Sequence, residues 1–307
     1  MAPSRDSVCG NQHQQSQPIL RTNEVWQSPP LLSLCPHHAY VLKVEQHEFI
    51  SIPSSIDNFY YEKEEIKTDK NGQPKLDKNG LPRKRILNPS ISRLKQIQKR
   101  IQRNILLKLE LPDYAYGAVK GRDNVKNAKR HQGKKYIFTT DLRDFFPSIN
   151  NDRVFQMYRS FNFSPTVSRI LTKLTTYKGR LPQGAPTSSS IANLVFIKTG
   201  KQLEQFALEN QITFTSFIDD LSFSAPFDFK DRAHYIIDTI QKDGFRISHN
   251  KTNYKTKNPL VTGVVVKNNS LDLPDSFKIK LKEVEGKTPE QIRGLQLYAE
   301  KVLHSNK

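Results

Sequence analysis

The amino-acid sequence predicts an α+β chain, and three stretches carry that prediction. From Ile91 to Leu106, apolar residues recur three and four apart, the spacing of an amphipathic helix. From Ile212 to Ala225, apolar and polar residues alternate on both sides of a pair of acids, as in a two-stranded hairpin. Between them, the apolar run Tyr136-Ile-Phe-Thr-Thr stops at Asp141, as a strand does where it meets an open cleft.

In chain order, residues 1–30 are rich in Ser, Gln, Asn and Pro around Trp26, and are expected to form a poorly ordered tail or docking segment. Short aromatic and β-branched runs follow, Ala39-Tyr-Val-Leu-Lys-Val and Phe49-Ile-Ser-Ile, which read as strands. Asp69-Lys-Asn-Gly-Gln-Pro-Lys-Leu is then echoed by Asp77-Lys-Asn-Gly-Leu-Pro-Arg-Lys. Asn71-Gly72 and Asn79-Gly80 are tight-turn dipeptides, since both residue types tolerate positive φ. Two copies make a basic, turn-rich excursion between strands, not a solenoid. In the helix that follows, Ile91, Leu94, Ile97, Ile101 and Ile105 form the apolar face and Ser90 is the expected cap. Its polar face carries Arg93, Lys95, Lys99, Arg100 and Arg103. Gly179 to Phe196 is a Pro/Gly-rich loop opening into a helix, and Leu281, Ile292, Leu295, Leu297 and Val302 suggest helices over 270–307.

Composition narrows the function. The 307 residues hold 48 Lys and Arg against 30 Asp and Glu, a net charge of +18. So basic a chain predicts a polyanionic partner, either nucleic acid or an anionic membrane surface. No apolar run approaches the roughly 18–20 residues that span a bilayer, and the first residues lead into no apolar leader region. Two cysteines, Cys9 and Cys35, exclude a disulfide scaffold and a zinc site of four Cys/His ligands at standard spacing. A reducing cytoplasm is the expected location.

Asp141 is followed by Asp144 and two aromatics, Phe145 and Phe146. A carboxylate at a rigid strand end can hold a hard cation, although alone it equally describes an acid capping the next helix. Adjacent Asp219 and Asp220 repel each other, which a metal ion or a basic partner relieves; an ordinary acidic turn reads the same in isolation. Two acid clusters in a basic chain share one explanation: a pair of divalent ions clamping the oxygens of an in-line phosphoryl displacement. Polymerases and nucleases both do this. In Gly179-Arg-Leu-Pro-Gln183-Gly184-Ala-Pro-Thr-Ser, Gly184 lets backbone approach a ligand and a helix start offers free N–H groups; alone the string also reads as a turn and cap, and it is the order of acid strand, Pro-Gln-Gly loop and Asp-Asp hairpin that separates the two.

With that third block the chain resembles a reverse transcriptase from about Leu81 to Lys307. Asp141 to Phe146 resembles motif A of that family, Leu181 to Asn193 motif B, Phe217-Ile-Asp-Asp motif C, and Gly244-Phe-Arg-Ile-Ser-His-Asn-Lys251-Thr motif D. Asn127-Ala-Lys-Arg-His131 and Val261-Thr262-Gly263 resemble the Asn-Ala-x-x-His and Val-Thr-Gly blocks of the retron-type bacterial enzymes. Motif C departs from the usual Tyr-Ala-Asp-Asp at Phe217 and Ile218, and Ser189 stands where Pro is common in motif B.

The resemblance implies a right-hand polymerase: fingers over 31–140, a palm over 141–269 with an antiparallel sheet packed on helices, and a short helical thumb over 270–307. It implies two Mg2+ ions held by Asp141, Asp219 and Asp220. It assigns nucleotide binding to Lys120, Arg122, Phe146 as the ribose-selecting aromatic, Gln183 and Gly184. Lys251 reads as a proton donor to pyrophosphate or as a surface lysine. Asn127, His131, Val261, Thr262 and Gly263 are left for RNA recognition, and Lys278, Lys280, Lys282 and Arg293 for tracking a duplex. The implied partners are deoxynucleoside triphosphates, a cognate structured noncoding RNA with its branched DNA product, and a separate effector protein in antiphage defence. Two alternatives stay open: the reverse transcriptase of another element, such as a group II intron or a diversity-generating element, and a catalytically silent RNA-binding protein.

Overall fold

The computed structural model describes residues 44–305 except 46, 69–72, 78 and 284. The expected 1–30 tail, the run from Ala39 to Lys43, the Asn71-Gly72 turn and both cysteines lie outside the described residues. The elements are α1 (Glu48–Ser54), β1 (Lys63–Ile66), β2 (Lys84–Leu87), α2 (Ser92–Asn104), α3 (Asn124–Lys129), β3 (Tyr136–Asp141), α4 (Phe145–Ser148), α5 (Asn151–Ser160), α6 (Pro165–Thr175), α7 (Ser188–Glu209), β4 (Thr213–Phe217), β5 (Asp220–Ala225), α8 (Ala233–Lys242), β6 (Asn253–Lys255), β7 (Leu260–Val261), β8 (Val264–Val266), β9 (Leu271–Asp272), α9 (Asp275–Lys282) and α10 (Pro289–His304).

A four-stranded antiparallel sheet in the order β4-β5-β3-β6 organises the centre. Its register sets Phe138 opposite Phe223 and Phe223 opposite Phe214. Phe214 and Phe223 stack with centroids 4.6 Å apart. Because side chains alternate faces along a strand, this row of aromatics fixes which face turns inward, and a one-residue slip would expel it. Helix α7 packs on β4 and α8. It buries Ile191, Leu194, Phe196, Leu203 and Ala207. Gly200 gives it a notch filled by the Tyr114 ring, with no room there for a Cβ.

Helix α2 forms where its periodicity predicts, and Leu94, Ile97 and Ile101 are wholly buried. Its start differs from the expectation. Ile91 occupies the cap position without a side-chain bond, and Ser90 instead donates to the Gln98 Oε1 at 2.6 Å. The Gln98 amide in turn donates to the Tyr60 hydroxyl (2.7 Å) and the Leu174 carbonyl (2.8 Å), so a buried polar network pins the helix at mid-length.

The strand expected at Phe49-Ile-Ser-Ile is corrected: these residues lie in α1. Phe49 and Ile52, three apart, are both buried on one helical face, and Glu48 is held by Arg93 of α2 at 2.6 Å. A four-residue apolar run fits either period, and here the tertiary ion pair and packing select the helix.

The turn-rich excursion between β1 and β2 folds back on itself. Lys75 N–H donates to the Lys67 carbonyl (2.7 Å), and Arg83 N–H to the Lys75 carbonyl (2.6 Å). A second core gathers Val125, Ala128, Ile137, Val261, Val264, Val266, Leu271, Leu273, Ala299 and Val302. It joins α3, the three-stranded sheet β7-β8-β9 and α10, with Ile137 supplied by β3 of the central sheet.

Candidate active site

Strand pairing assembles the acids. β3 and β5 run antiparallel with Asp141 directly opposite Asp220, and β5 returns to β4 through Ile218 and Asp219. The Leu142 N–H donates to the Asp219 carbonyl at 2.8 Å, closing the turn against the end of β3. Asp141 thus meets the adjacent pair Asp219 and Asp220, distant from it in sequence, at one end of one sheet. Ile218, at the hairpin tip, has φ 60°, a left-handed conformation that a β-branched residue rarely adopts. The segment Tyr114–Gly117 lies beside β4: Ser216 N–H donates to the Tyr114 carbonyl and Tyr116 N–H to the Ser216 carbonyl, both at 2.7 Å. Gly117 sits so close to the tip that a Cβ on it would lie 2.6 Å from Ile218 Cγ1 and 2.7 Å from Ile218 N.

The acids repel one another. Burial, then Asp219 and Asp141, push Asp220 up to about 7. Burial and then Asp141 raise Asp219 as well. Lys251, just before β6, ion-pairs with Asp141. Carboxylates whose negative charge is this poorly compensated fit a divalent cation, which would supply the missing positive charge. Among the described residues no group of three His, Cys, Asp or Glu side chains makes a closed metal cage. Magnesium does not require one, since it binds through one or two carboxylates together with water and substrate phosphates.

The family model for reverse transcriptase (RNA-dependent DNA polymerase) matches residues 70–278, a span holding all three acids. The retron Ec86 reverse transcriptase of Escherichia coli is 33% identical over 69% of this chain and 67% of its own length. The chain belongs to the retron reverse transcriptases. It is accordingly an RNA-directed DNA polymerase. The retron Se72 reverse transcriptase of Salmonella heidelberg is 36% identical over 46% of this chain and 38% of its own. The retron Mx162 reverse transcriptase of Myxococcus xanthus is 30% identical over 62% and 46%. Among solved structures, telomerase from Candida albicans with a fragment of telomeric RNA aligns with TM-score 0.48 and 11% identity, over 78% of this chain and 54% of that one. Among the described residues no helix is long and apolar enough to cross a membrane.

The remaining motif residues of this reverse transcriptase fall into two groups. Some belong to the segments packed around the central sheet. Phe146 is half-buried, its ring 6.0 Å from that of Phe145. Phe145 is buried against Phe196 and Phe245. Only the first of the two therefore faces open space. Gln183 and Gly184 lie in a loop tied at both ends: Leu181 N–H donates to the Ile149 carbonyl (2.8 Å), and the Gln183 carbonyl accepts from Asn88 N–H (2.7 Å). Gly184 has φ +96°. Asn193 at the far end of the block donates to the Gly117 carbonyl at 2.7 Å, linking this loop-helix unit to the glycine beneath the hairpin tip.

Others do not reach the acids. Lys120 is exposed on the connection into α3. Arg122 was expected to grip a triphosphate, but its guanidinium donates to the carbonyls of Pro112 (2.8 Å), Asp113 (3.1 Å) and Ala115 (2.7 Å), and to the Asp113 carboxylate (2.9 Å). Its fork is spent on holding the loop that flanks β4. Asn127 and His131 are wholly buried, so the direct RNA contacts expected of them have no surface on which to form. His131 lies between Ser224 Oγ and Thr215 Oγ1, 2.7 Å from each, bonding β5 and β4. Asn127 donates to Thr262 Oγ1 at 3.2 Å. The two retron blocks therefore pack on each other. Thr262 and Gly263, at φ 44° and 85°, form the two-residue turn between β7 and β8. Both left-handed conformations suit that turn type. Val261 is buried in the second core, while Gly263 is exposed.

Two cations not singled out in the sequence, Lys67 and Arg85, lie within electrostatic reach of Asp144 and Asp219 respectively. Arg85 of β2 is near enough to Asp219 to counter the rise in its pKa. Lys67 is held below the ordinary lysine range by burial, then by Arg83 and Arg85; Asp144 opposes that effect and Lys251 adds to it. Arg85 and Asp219 lie more than a hundred residues apart in sequence, and no local pattern marks their approach. The only hint was that the excursion is basic.

Proposed function

We propose that the chain copies a cognate structured noncoding RNA into branched, multicopy single-stranded DNA, as the catalytic component of a retron acting in antiphage defence with a separate effector protein. The observation that supports this most is the pairing of Asp141 with Asp220 beneath Asp219, which gathers the charge needed for nucleotide transfer. On this reading 31–140 are fingers, 141–269 a palm and 270–307 a thumb, working in the cytoplasm.

Asp141, Asp219 and Asp220 would hold two magnesium ions, which when bound supply Lewis-acid activation of the primer hydroxyl and neutralise charge on the departing pyrophosphate. The protein's own groups do the rest. Lys67, Arg83 and Arg85 approach from the β1–β2 side and bind the triphosphate, with Lys120 at the entrance. Phe146 lies against the sugar and leaves no room for a 2′-hydroxyl. Gln183 and Gly184 shape the floor under the incoming base. Lys251, already paired with Asp141, is placed to give a proton to pyrophosphate as it leaves. The turn at Thr262-Gly263 presents backbone to the RNA, with Asn127 and His131 fixing the elements behind it.

The test is magnesium-dependent extension on an RNA template by the wild type and by Asp219→Asn. Extension by the wild type alone supports the reading, and equal extension by both overturns it. Product formed on the cognate transcript that keeps a short RNA attached after ribonuclease treatment would show initiation from an internal 2′-hydroxyl.

A further inference from the structure

Helices α2 and α6 pack together, and neither contains an Asp or Glu. On α2 the side chains of Lys95, Lys99 and Arg103 are exposed on the face opposite Leu94, Ile97 and Ile101. They recur every fourth residue, so they form one row that rises about 6 Å per step. On α6 the exposed positions Arg169 and Lys173 add two more cations. Arg93 of α2 is committed to Glu48 and does not belong to this row. The row is also rigid: Gln98, on the buried side of the same helix, is bonded to Ser90, Tyr60 and Leu174 of α6.

We propose that this α2–α6 face is a second nucleic-acid surface, which holds a double-stranded arm of the folded RNA template outside the polymerising cleft. The proposal rests on the polymerase reading and deepens it. A solvated helix face normally mixes both signs, whereas a face of one sign on a rigid support repels other cations and attracts a row of phosphates. A folded RNA has duplex arms that cannot all enter the cleft, and an A-form arm is recognised through its backbone and shape. Lys95, Lys99 and Arg103 supply phosphate contacts that position the RNA and carry no base readout.

The experiment measures salt-dependent binding of an RNA hairpin whose duplex runs for several turns, and of a short annealed RNA–DNA primer–template that the cleft alone can cover. The proteins are the wild type, K95Q/K99Q/R103Q, and the charge-keeping K95R/K99R. Each neutralised phosphate contributes about 0.7–0.9 to the slope of log K against log salt, so the triple variant should lose about 2–3 from its slope on the long hairpin. Over a fourfold rise in salt, the wild type should then lose about 30-fold more affinity than the triple variant. K95R/K99R should keep the wild-type slope, and extension of the short primer–template should be unchanged in both variants. An unchanged slope in the triple variant overturns the proposal. So does an equal loss on both substrates, which would place these residues in the cleft or in the fold. If the wild type cannot extend the short substrate, the polymerase reading fails, while the slopes still report on this face.

Discussion

Acidification from about pH 7.5 to about pH 5 should weaken this fold by about 2 kcal/mol through His131 alone. The imidazole is fully buried and accepts or donates only to the hydroxyls of Ser224 and Thr215. Burial, with lesser contributions from Arg130 and Lys134, lowers it from the ordinary 6.5 to about 3. Because the folded value lies below the unfolded one, protons bind the unfolded chain more tightly. Stability is therefore complete above pH 6.5 and falls as the pH drops from 6.5 toward 3. At about pH 5 the unfolded histidine is almost fully protonated and the folded one is not, and the 1.5 units below 6.5 cost about 2 kcal/mol at 1.36 kcal/mol per unit. The assay is urea unfolding followed by circular dichroism at both pH values, for the wild type and for His131→Gln. Gln cannot titrate. It should be less stable at neutral pH, by about 1–3 kcal/mol for each hydroxyl left without a partner. The gap between the two proteins should then narrow by about 2 kcal/mol at the lower pH. Equal losses in both proteins on acidification would refute the reasoning, because other titrating groups contribute alike to each.

Four further outcomes follow. Asp219→Asn and Asp141→Asn should each abolish DNA synthesis while RNA affinity measured by filter binding is retained, since an amide lacks the anionic oxygen that magnesium binds. Phe146→Ala should raise incorporation of ribonucleotides relative to deoxyribonucleotides in single-nucleotide assays. Phe145→Ala should instead destabilise the fold by about 3–5 kcal/mol in denaturant unfolding, since its ring sits among Phe196 and Phe245. Gly117→Ala should cut polymerisation at least tenfold, and adding Ile218→Ala should not restore it, because the new Cβ would also lie 2.7 Å from the Ile218 backbone nitrogen and 2.9 Å from the Phe217 carbonyl carbon.

The meeting of Asp141 with Asp219 and Asp220 was legible because each acid stands at or next to a strand terminus, and strand ends leave a local trace: apolar alternation broken by an acid. The four-residue run at Phe49 was not, since it is too short to separate periods of 2 and 3.6, and the deciding contact, Glu48 to Arg93, lies 45 positions away. Ser90 illustrates a different limit. It stands where a cap belongs, yet a buried partner, Gln98, outcompetes the helix end for its hydroxyl. Arg122 looked like a phosphate ligand by its position in a Lys-Gly-Arg string, and only the folded loop reveals three carbonyls aimed at it. Asn127 and His131 were grouped with Val261-Thr262-Gly263 for RNA recognition, whereas both are buried. What the string could not convey is that the partners are mutual, through Asn127 and Thr262.

The bond pair that seats Tyr114 and Tyr116 against Ser216 has a consequence for synthesis on the ribosome. The earlier segment emerges about a hundred residues before its partner, and β3 must likewise wait for β5 and then β6. Pairings between strands so far apart in sequence form slowly, because a large loop must close before any contact rewards it. The acidic tip therefore takes shape only after β5 has left the exit tunnel. For most of its translation time the nascent chain is a strongly basic polymer whose Asp141 has not yet met Asp219 and Asp220, able to attract RNA and unable to copy it.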